Sequence, residues 1–183
     1  MNRIHFAAVS TALIMCELPL VQARAKSGEA SAAAQGIAIF EQIEATSDEI
    51  SEVAWQLGER SKGPVDSEVY RGSLDMLKSG VNAIGRELKT LDAERASLAP
   101  WEVEALDRTT SLMMDVAAST ENAIETYNSN QNRLWTTSYP AFTEKASEEA
   151  HQVKIILSGY LKLAKAHQQM DRLEPGPSTS PQL

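Results

Sequence analysis

Apolar residues recur along the chain at spacings of three and four, the pattern of amphipathic helices that bury one stripe. Short segments containing glycine or proline interrupt this pattern. We therefore predict four helices: from about Ser31 to Ser61, from near Asp66 to the turn at Ser97–Glu102, from Pro100 to about Leu134, and from about Ser138 to Glu174. Helices of roughly 30 residues are about 45 Å long.

The connections between these helices are only a few residues long, so consecutive helices are expected to be antiparallel neighbours. The predicted fold class is all-α, an elongated antiparallel up-down-up-down four-helix bundle with coiled-coil-like packing. The alternative is that the first two helices stack end to end within a three-helix coiled coil. Gly63 and Pro64 disfavour that continuation, because they are typical of a helix end.

The second helix has the most regular pattern and the third the most polar one. In the second, a 4-3-4-3 spacing runs from Tyr70 to Leu98 with only Arg95 polar, as in a coiled coil. Three glycines in this helix either allow a close helix approach or mark local softness, and the sequence leaves both open: Gly72, Gly80 and Gly85. The buried stripe of the third helix includes three polar residues, which is where a function inside the bundle would lie: Thr110, Thr120 and Gln131.

The fourth helix is expected to bury large side chains at alternating spacings of three and four. This predicted stripe comprises Tyr139, Phe142, Ala146, Val153, Ile156, Tyr160, Leu163, His167 and Met170. The segment 175–183 is rich in proline and serine and lacks apolar periodicity, so it is predicted to be a disordered tail.

Residues 1–25 have the features of a secretory signal peptide: Arg3, a mostly apolar stretch from Phe6 to Leu20, and Ala23-Arg24-Ala25, which predicts cleavage after Ala23 or Ala25. A transmembrane anchor is the alternative, but Glu17 and Pro19 interrupt the short apolar stretch. The bundle domain is then residues 26–174, and the expected location is periplasmic or secreted.

The single cysteine, Cys16, lies in this leader, and Met15 before it disfavours a lipidation site. Cleavage would leave a chain without a thiol for a disulfide or metal site. The formal net charge is −8, and it becomes about −9 because two arginines and one glutamate leave with the leader. An acidic surface disfavours nucleic acid and anionic membranes as partners.

Two residue pairs are candidates for a metal or haem site. Glu148 and His151 form a Glu-x-x-His on one helical face, but a ferritin-like centre needs a second copy of this motif. His167 and Met170, spaced i and i+3, could bind copper or haem iron. The first helix lacks the methionine that a bundle haem site of this kind would use. We therefore favour a solvated face for the first pair and a structural role at the core end for the second, with no cofactor.

The remaining chemistry favours a protein that binds rather than catalyses. No serine lies in a Gly-x-Ser-x-Gly elbow, and no glycine loop could cradle a phosphate. The first helix has an acidic face, typical of a solvated surface or of a basic partner's site: Glu41, Glu44, Asp48, Glu49 and Glu52. Trp55 lies off the buried stripe and is expected to be exposed at a partner surface.

The segments Ser97-Leu98-Ala99-Pro100-Trp101-Glu102 and Asn130-Gln131-Asn132-Arg133-Leu134-Trp135 resemble those of a group of uncharacterised exported helical proteins from bacteria, over residues 65–170. The resemblance implies an envelope location and no particular activity. The leading hypothesis is a non-enzymatic exported bundle that binds a protein partner, self-associates or acts as a scaffold. A periplasmic metal- or haem-binding bundle is the alternative.

Overall fold

The computed structural model describes the backbone of residues 18–63, 68–131 and 133–173, with side chains from residue 35 to residue 170 of these ranges. Four α-helices account for most of this part of the chain: α1 (Leu18–Arg60), α2 (Glu68–Ala93), α3 (Pro100–Asn130) and α4 (Tyr139–Leu173). Short 3-10 turns at Arg95–Ser97 and Leu134–Thr136 precede α3 and α4. The described residues form no strand, and none of their helices is apolar enough over a sufficient length to cross a bilayer.

The helices form the predicted four-helix bundle, in which each packs against its neighbours along the chain and α4 closes the ring against α1. Side-chain contacts give the relative directions of the helices. Along α1 and α4, Glu41 pairs with Lys165, and Asp48 pairs with Lys154. Residue numbers therefore rise along one helix as they fall along the other, which makes this pair antiparallel.

The core is a continuous apolar stripe from all four helices. Most of the residues predicted on α2 are buried: Tyr70, Leu74, Leu77, Ile84, Leu88 and Leu91. The predicted Val81 and Leu98 are partly buried against this core. Their removal from water, at about 25 cal/mol per Å² of apolar surface, is the main stabilising contribution. Because no cysteine lies in the described residues, this packing stabilises the bundle without a disulfide.

α1 and α4 approach each other through small side chains. Ser51 Oγ donates to the Ser147 carbonyl at 3.0 Å, and Ser147 Oγ donates to the Ser51 carbonyl at 2.8 Å. A Cβ added to Gly58 would lie 3.1 Å from Thr143 Oγ1. Small residues thus allow α1 and α4 to pack closely while their hydroxyls remain hydrogen-bonded.

This close approach corrects the predicted stripe of α4. Leu163, His167 and Met170 are exposed, and the buried set is Tyr139, Thr143, Ala146, Ala150, Val153, Leu157, Leu161 and Ala164. Size and hydropathy favoured larger neighbours of several of these residues. At Thr143, which packs against Gly58, the short distance to α1 selects a small side chain, whereas Leu157 and Leu161 lie one position after the predicted Ile156 and Tyr160.

Three predicted helix ends are also wrong. α1 begins at Leu18 rather than Ser31, and Pro19 lies in its first turn, where proline is tolerated. α2 ends at Ala93, so Arg95 lies in a 3-10 turn and is exposed rather than on the buried stripe. α3 ends at Asn130 rather than Leu134, and Leu134 lies in the following 3-10 turn, where its side chain is buried. The predicted start at Asp66, the apolar stretch before Leu18 and the tail 175–183 lie outside the described residues.

The glycines of α2 have two different roles. A Cβ on Gly80 would lie 2.2 Å from Ile50 Cγ2, so Gly80 allows the close approach of α1. Around Gly72 and Gly85 no atom lies within 4 Å of such a Cβ. The first alternative from the sequence therefore holds at Gly80 alone, and the other two glycines face open space.

Candidate functional site

A groove runs along the outer face of the bundle between α2 and α3, the pair of chain neighbours with the least extensive contact. Its volume is about 760 Å³. We define the α2–α3 groove by its apolar residues Val81, Gly85, Leu88, Met113, Met114 and Ala117 and its polar residues Asn82, Arg86, Lys89, Asp92, Arg95, Asp107, Thr110 and Ser111. Although polar residues are more numerous, apolar atoms make up most of the groove's surface, and Leu88 and Met113 belong to the buried core.

Small residues at the contact between α2 and α3 create the groove. Gly85 has no side chain, and nothing lies within 4 Å of the point where a Cβ would be. Ala117 lies across from it on α3 and is only partly buried. Larger residues at these two positions would fill the space and close the pair of helices, as residues elsewhere on the stripe do.

The two methionines of the groove differ in environment. Met113 belongs to the core and is 4% exposed, as the sequence predicted, whereas Met114 is 69% exposed on the groove's edge. Exposed methionine is flexible and polarizable, properties that suit an adaptable apolar binding surface.

An ion-pair network closes one end of the groove. Arg95 Nε donates to Asp92 Oδ1 at 2.9 Å, and Arg95 Nη1 donates to Asp107 Oδ2 at 3.3 Å. The hydrogen bond from Arg95 lowers the pKa of Asp107 below its usual value and keeps it ionised. The two carboxylates of the groove are therefore bonded to one guanidinium and connect the end of α2 to α3.

Arg86 and Lys89, in contrast, are exposed cations on the α2 rim. They belong to no ion pair within the described ranges. Their spacing of three residues places them next to each other on one helical face. The sequence did not single them out, because they flank the buried stripe and only the loose α2–α3 packing gives them a groove to line.

The predicted polar stripe of α3 is divided between three places. Thr110 lines the α2–α3 groove and is exposed, whereas Thr120 is buried with its Oγ1 unpartnered in the described part of the chain. Gln131 lies beyond the end of α3 and is exposed. The three residues do not form one internal site.

A second, smaller cleft of about 390 Å³ lies between α1 and α4, lined by Ser51, Glu52, Trp55, Ser147, Glu148 and His151. Trp55 is 53% exposed, which confirms the prediction that it lies at the surface. Ser119 Oγ on α3 donates a hydrogen bond of 3.2 Å to Glu149 Oε2 on α4.

The residues predicted as metal ligands lie on two separate parts of α4. Glu148 and His151 are exposed beside Trp55, and His167 and Met170 are exposed near the end of the helix. Sixteen residues separate the two histidines, about 24 Å along a helix. The structural role predicted for Met170 in the core is wrong, because its side chain is 56% exposed.

No group of three or more histidine, cysteine, aspartate or glutamate side chains suited to a metal ion is present in the described residues. A metal or haem site on these residues therefore stays a prediction from the sequence. The acidic face of α1 is partly neutralised, since Glu41 and Asp48 pair with lysines of α4.

The tryptophans of the two turns also have different environments. Trp101 packs between Phe40 and Tyr160, with ring centroids at 6.0 and 6.5 Å. Trp135 is 40% exposed in the turn before α4. No protein-family model matches this chain, and no match was found among curated proteins or solved structures.

Proposed function

We propose that this chain is a non-enzymatic, exported helical-bundle protein of the bacterial envelope that binds an apolar partner in the α2–α3 groove. The observation that carries the proposal is the groove itself: an apolar wall, open to solvent, between the two chain neighbours that pack least extensively. Its volume of about 760 Å³ lies within the range of small-molecule sites, roughly 300–1,000 Å³.

The polar groups of the groove support binding rather than catalysis. Asp92 and Asp107 are bonded to Arg95, so neither carboxylate is free to act as a general acid or base. The exposed Met114 adds an adaptable apolar contact. These features favour a site that holds a ligand by burial of apolar surface.

The test of the groove uses a neutral apolar fluorophore, N-phenyl-1-naphthylamine, and two glycine variants of α2. Gly85→Leu fills the groove, and Gly72→Leu adds the same side chain to the same helix outside it, both at positions with open space. We expect saturable binding to the parent chain, a loss of about tenfold or more in affinity with Gly85→Leu, and no change with Gly72→Leu.

Binding that is absent from the parent chain, or that both variants leave unchanged, would refute the groove as the site. Far-UV circular dichroism of both variants checks that the helices are retained. The shared gain in helix propensity makes the two variants comparable in stability.

Export is tested separately, because the proposal for the envelope rests on the pattern of residues 1–25. N-terminal sequencing of the protein from an envelope fraction of its host is expected to give a chain that begins at Arg24 or Lys26. An intact chain that begins at Met1 and is recovered from the cytoplasm would contradict the proposal.

A further inference from the structure

Two cations on the rim of the α2–α3 groove stand out against an acidic protein. The chain has a net charge of −8, and many of its exposed acidic residues have a basic partner nearby. Arg86 and Lys89 are exposed, adjacent on one face, and belong to no ion pair in the part of the chain that the structure describes. They therefore form a local positive patch beside an apolar wall.

The third cation of the groove is not available in the same way. Arg95 binds Asp92 and Asp107, and these contacts account for the carboxylates that line the groove. Both carboxylates that line the groove are thus already bonded to Arg95. An anion that enters could therefore bind Arg86 and Lys89 without competition from them. Guanidinium and ammonium groups bind carboxylates and phosphates by charge-assisted hydrogen bonds.

The apolar wall is elongated along α2. From Val81 to Asp92 it follows twelve residues of this helix, about 16 Å along its axis. Gly85 and Ala117 deepen it, and Leu88 and Met113 form its floor. An elongated apolar cleft beside two cations suits an amphiphile that has an alkyl chain and an anionic head.

We propose that the α2–α3 groove binds a single-chain anionic amphiphile of the fatty-acid class, with its carboxylate at Arg86 and Lys89 and its alkyl chain along the floor between α2 and α3. This inference rests on the proposed function and specifies its ligand. The cations select the charge of the head, and the apolar wall contributes affinity in proportion to chain length.

The first experiment compares three twelve-carbon amphiphiles that differ in head charge, each below its micelle concentration, by titration calorimetry with the full chain. They are dodecanoate, dodecyltrimethylammonium and the neutral dodecyl maltoside. We expect dodecanoate to bind at least about tenfold more tightly than the other two. High salt should reduce this preference, because the two cations are exposed to solvent.

The second experiment removes the two charges. The Arg86→Gln, Lys89→Gln double variant is expected to lose the preference for dodecanoate while its affinity for dodecyl maltoside is unchanged. The matched control is Arg71→Gln, Lys78→Gln, which removes from the same helix, outside the groove, two exposed cations that form no ion pair among the described residues. It should keep the full preference.

Three outcomes would overturn the inference, and they differ in what they mean for the groove. Equal affinity for all three heads leaves the groove as an apolar site but refutes the selection of an anion. No binding of any of the three, together with no binding of the neutral fluorophore, refutes the proposed function as well. Binding to vesicles of anionic phospholipid without binding to monomeric dodecanoate would show a membrane-surface contact instead.

Discussion

Gly36 of α1 lies directly against the buried carboxylate of Glu102 in α3. A Cβ on Gly36 would lie 2.4 Å from Glu102 Oε1, and Glu102 is only 1% exposed. Glu102 Oε2 accepts a hydrogen bond of 2.7 Å from the Ala99 backbone N–H at the start of α3. Oε1 has no hydrogen-bond partner in the described residues. The absence of a side chain at Gly36 thus makes room for a helix-capping carboxylate inside the bundle.

Gly36→Ala is expected to destabilise the protein even though alanine is the better helix former. The added methyl group would displace the Glu102 carboxylate and break its bond to Ala99. Such overpacking costs about 1–3 kcal/mol, which exceeds the gain of about 0.5–1 kcal/mol from replacing a helical glycine. Urea unfolding followed by circular dichroism measures the difference.

Gly159→Ala in α4 is the control, because a Cβ at this position would point into open space. It should stabilise the protein by about 0.5–1 kcal/mol. In a Glu102→Ala background, Gly36→Ala should no longer destabilise, and the coupling in this double-mutant cycle reports the contact directly. Additive effects of the two substitutions would contradict the contact.

Glu102→Gln is expected to change the pH dependence of stability. Burial raises the pKa of Glu102, opposed in part by the hydrogen bond from Ala99. The protonated form therefore contributes stability below the unfolded pKa of about 4.5, and this contribution is lost as the pH rises through the higher folded pKa. Glutamine is neutral throughout and retains an oxygen for the cap.

Relative to the parent chain, the Glu102→Gln variant should thus be more stable, with a larger free energy of unfolding, at neutral pH than below pH 4.5. Urea unfolding at a series of pH values checks this. Glu121→Gln on the exposed face of α3 is the matched control. If both variants show the same pH dependence relative to the parent chain, the buried carboxylate is not its cause.

The burial of Glu102 shows where prediction from the sequence ends. The helix start at Pro100 was predictable, because proline suits a first turn and the acidic residues after it complement the helix dipole. Those local rules place Glu102 at a solvated helix end. Its burial depends on Gly36, more than sixty residues earlier, and on how α1 crosses α3.

The same distinction holds for the candidate site. The periodic stripe of α2 identified its buried face, and the sequence left Gly85 as either a point of close helix approach or a point of local softness. Whether Gly85 meets a neighbour or open space depends on the residues of α3 that face it, among them Ala117. The roles of Arg86 and Lys89 follow only from that tertiary arrangement.

Tyr139 and Tyr70 are expected to respond oppositely to removal of their hydroxyl groups. Their rings meet edge to face with centroids 5.9 Å apart, and both residues are buried. Tyr70 OH donates to the Arg60 carbonyl at 2.9 Å, whereas Tyr139 OH has no partner among the described residues. The pKa of Tyr139 is raised, mainly because the hydroxyl is buried and to a smaller extent because two other tyrosines lie nearby. The hydroxyl therefore stays neutral.

Tyr70→Phe should therefore cost about 0.5–1.5 kcal/mol, since it leaves a backbone carbonyl without its donor. Tyr139→Phe should be neutral or stabilising by up to about 1 kcal/mol, because it removes an unsatisfied buried group and keeps the ring. The two midpoints in urea give the comparison. A larger loss with Tyr139→Phe than with Tyr70→Phe would mean that the hydroxyl of Tyr139 has a partner in solution.

Gly80→Ala tests the close approach of α1 to α2 at a second point of the bundle. The methyl group would lie 2.2 Å from Ile50 Cγ2, and Ile50 is buried, so the two helices must separate or the isoleucine must leave its rotamer. We expect a loss of about 1–3 kcal/mol in the free energy of unfolding.

Gly72→Ala, on the same helix in open space, should instead gain about 0.5–1 kcal/mol. Because both variants make the same chemical change in α2, a difference in sign isolates the contact with α1. An Ile50→Ala background, which removes Cγ2, should reduce the loss at Gly80. Equal gains from the two variants would show that α1 and α2 lie further apart than this packing requires.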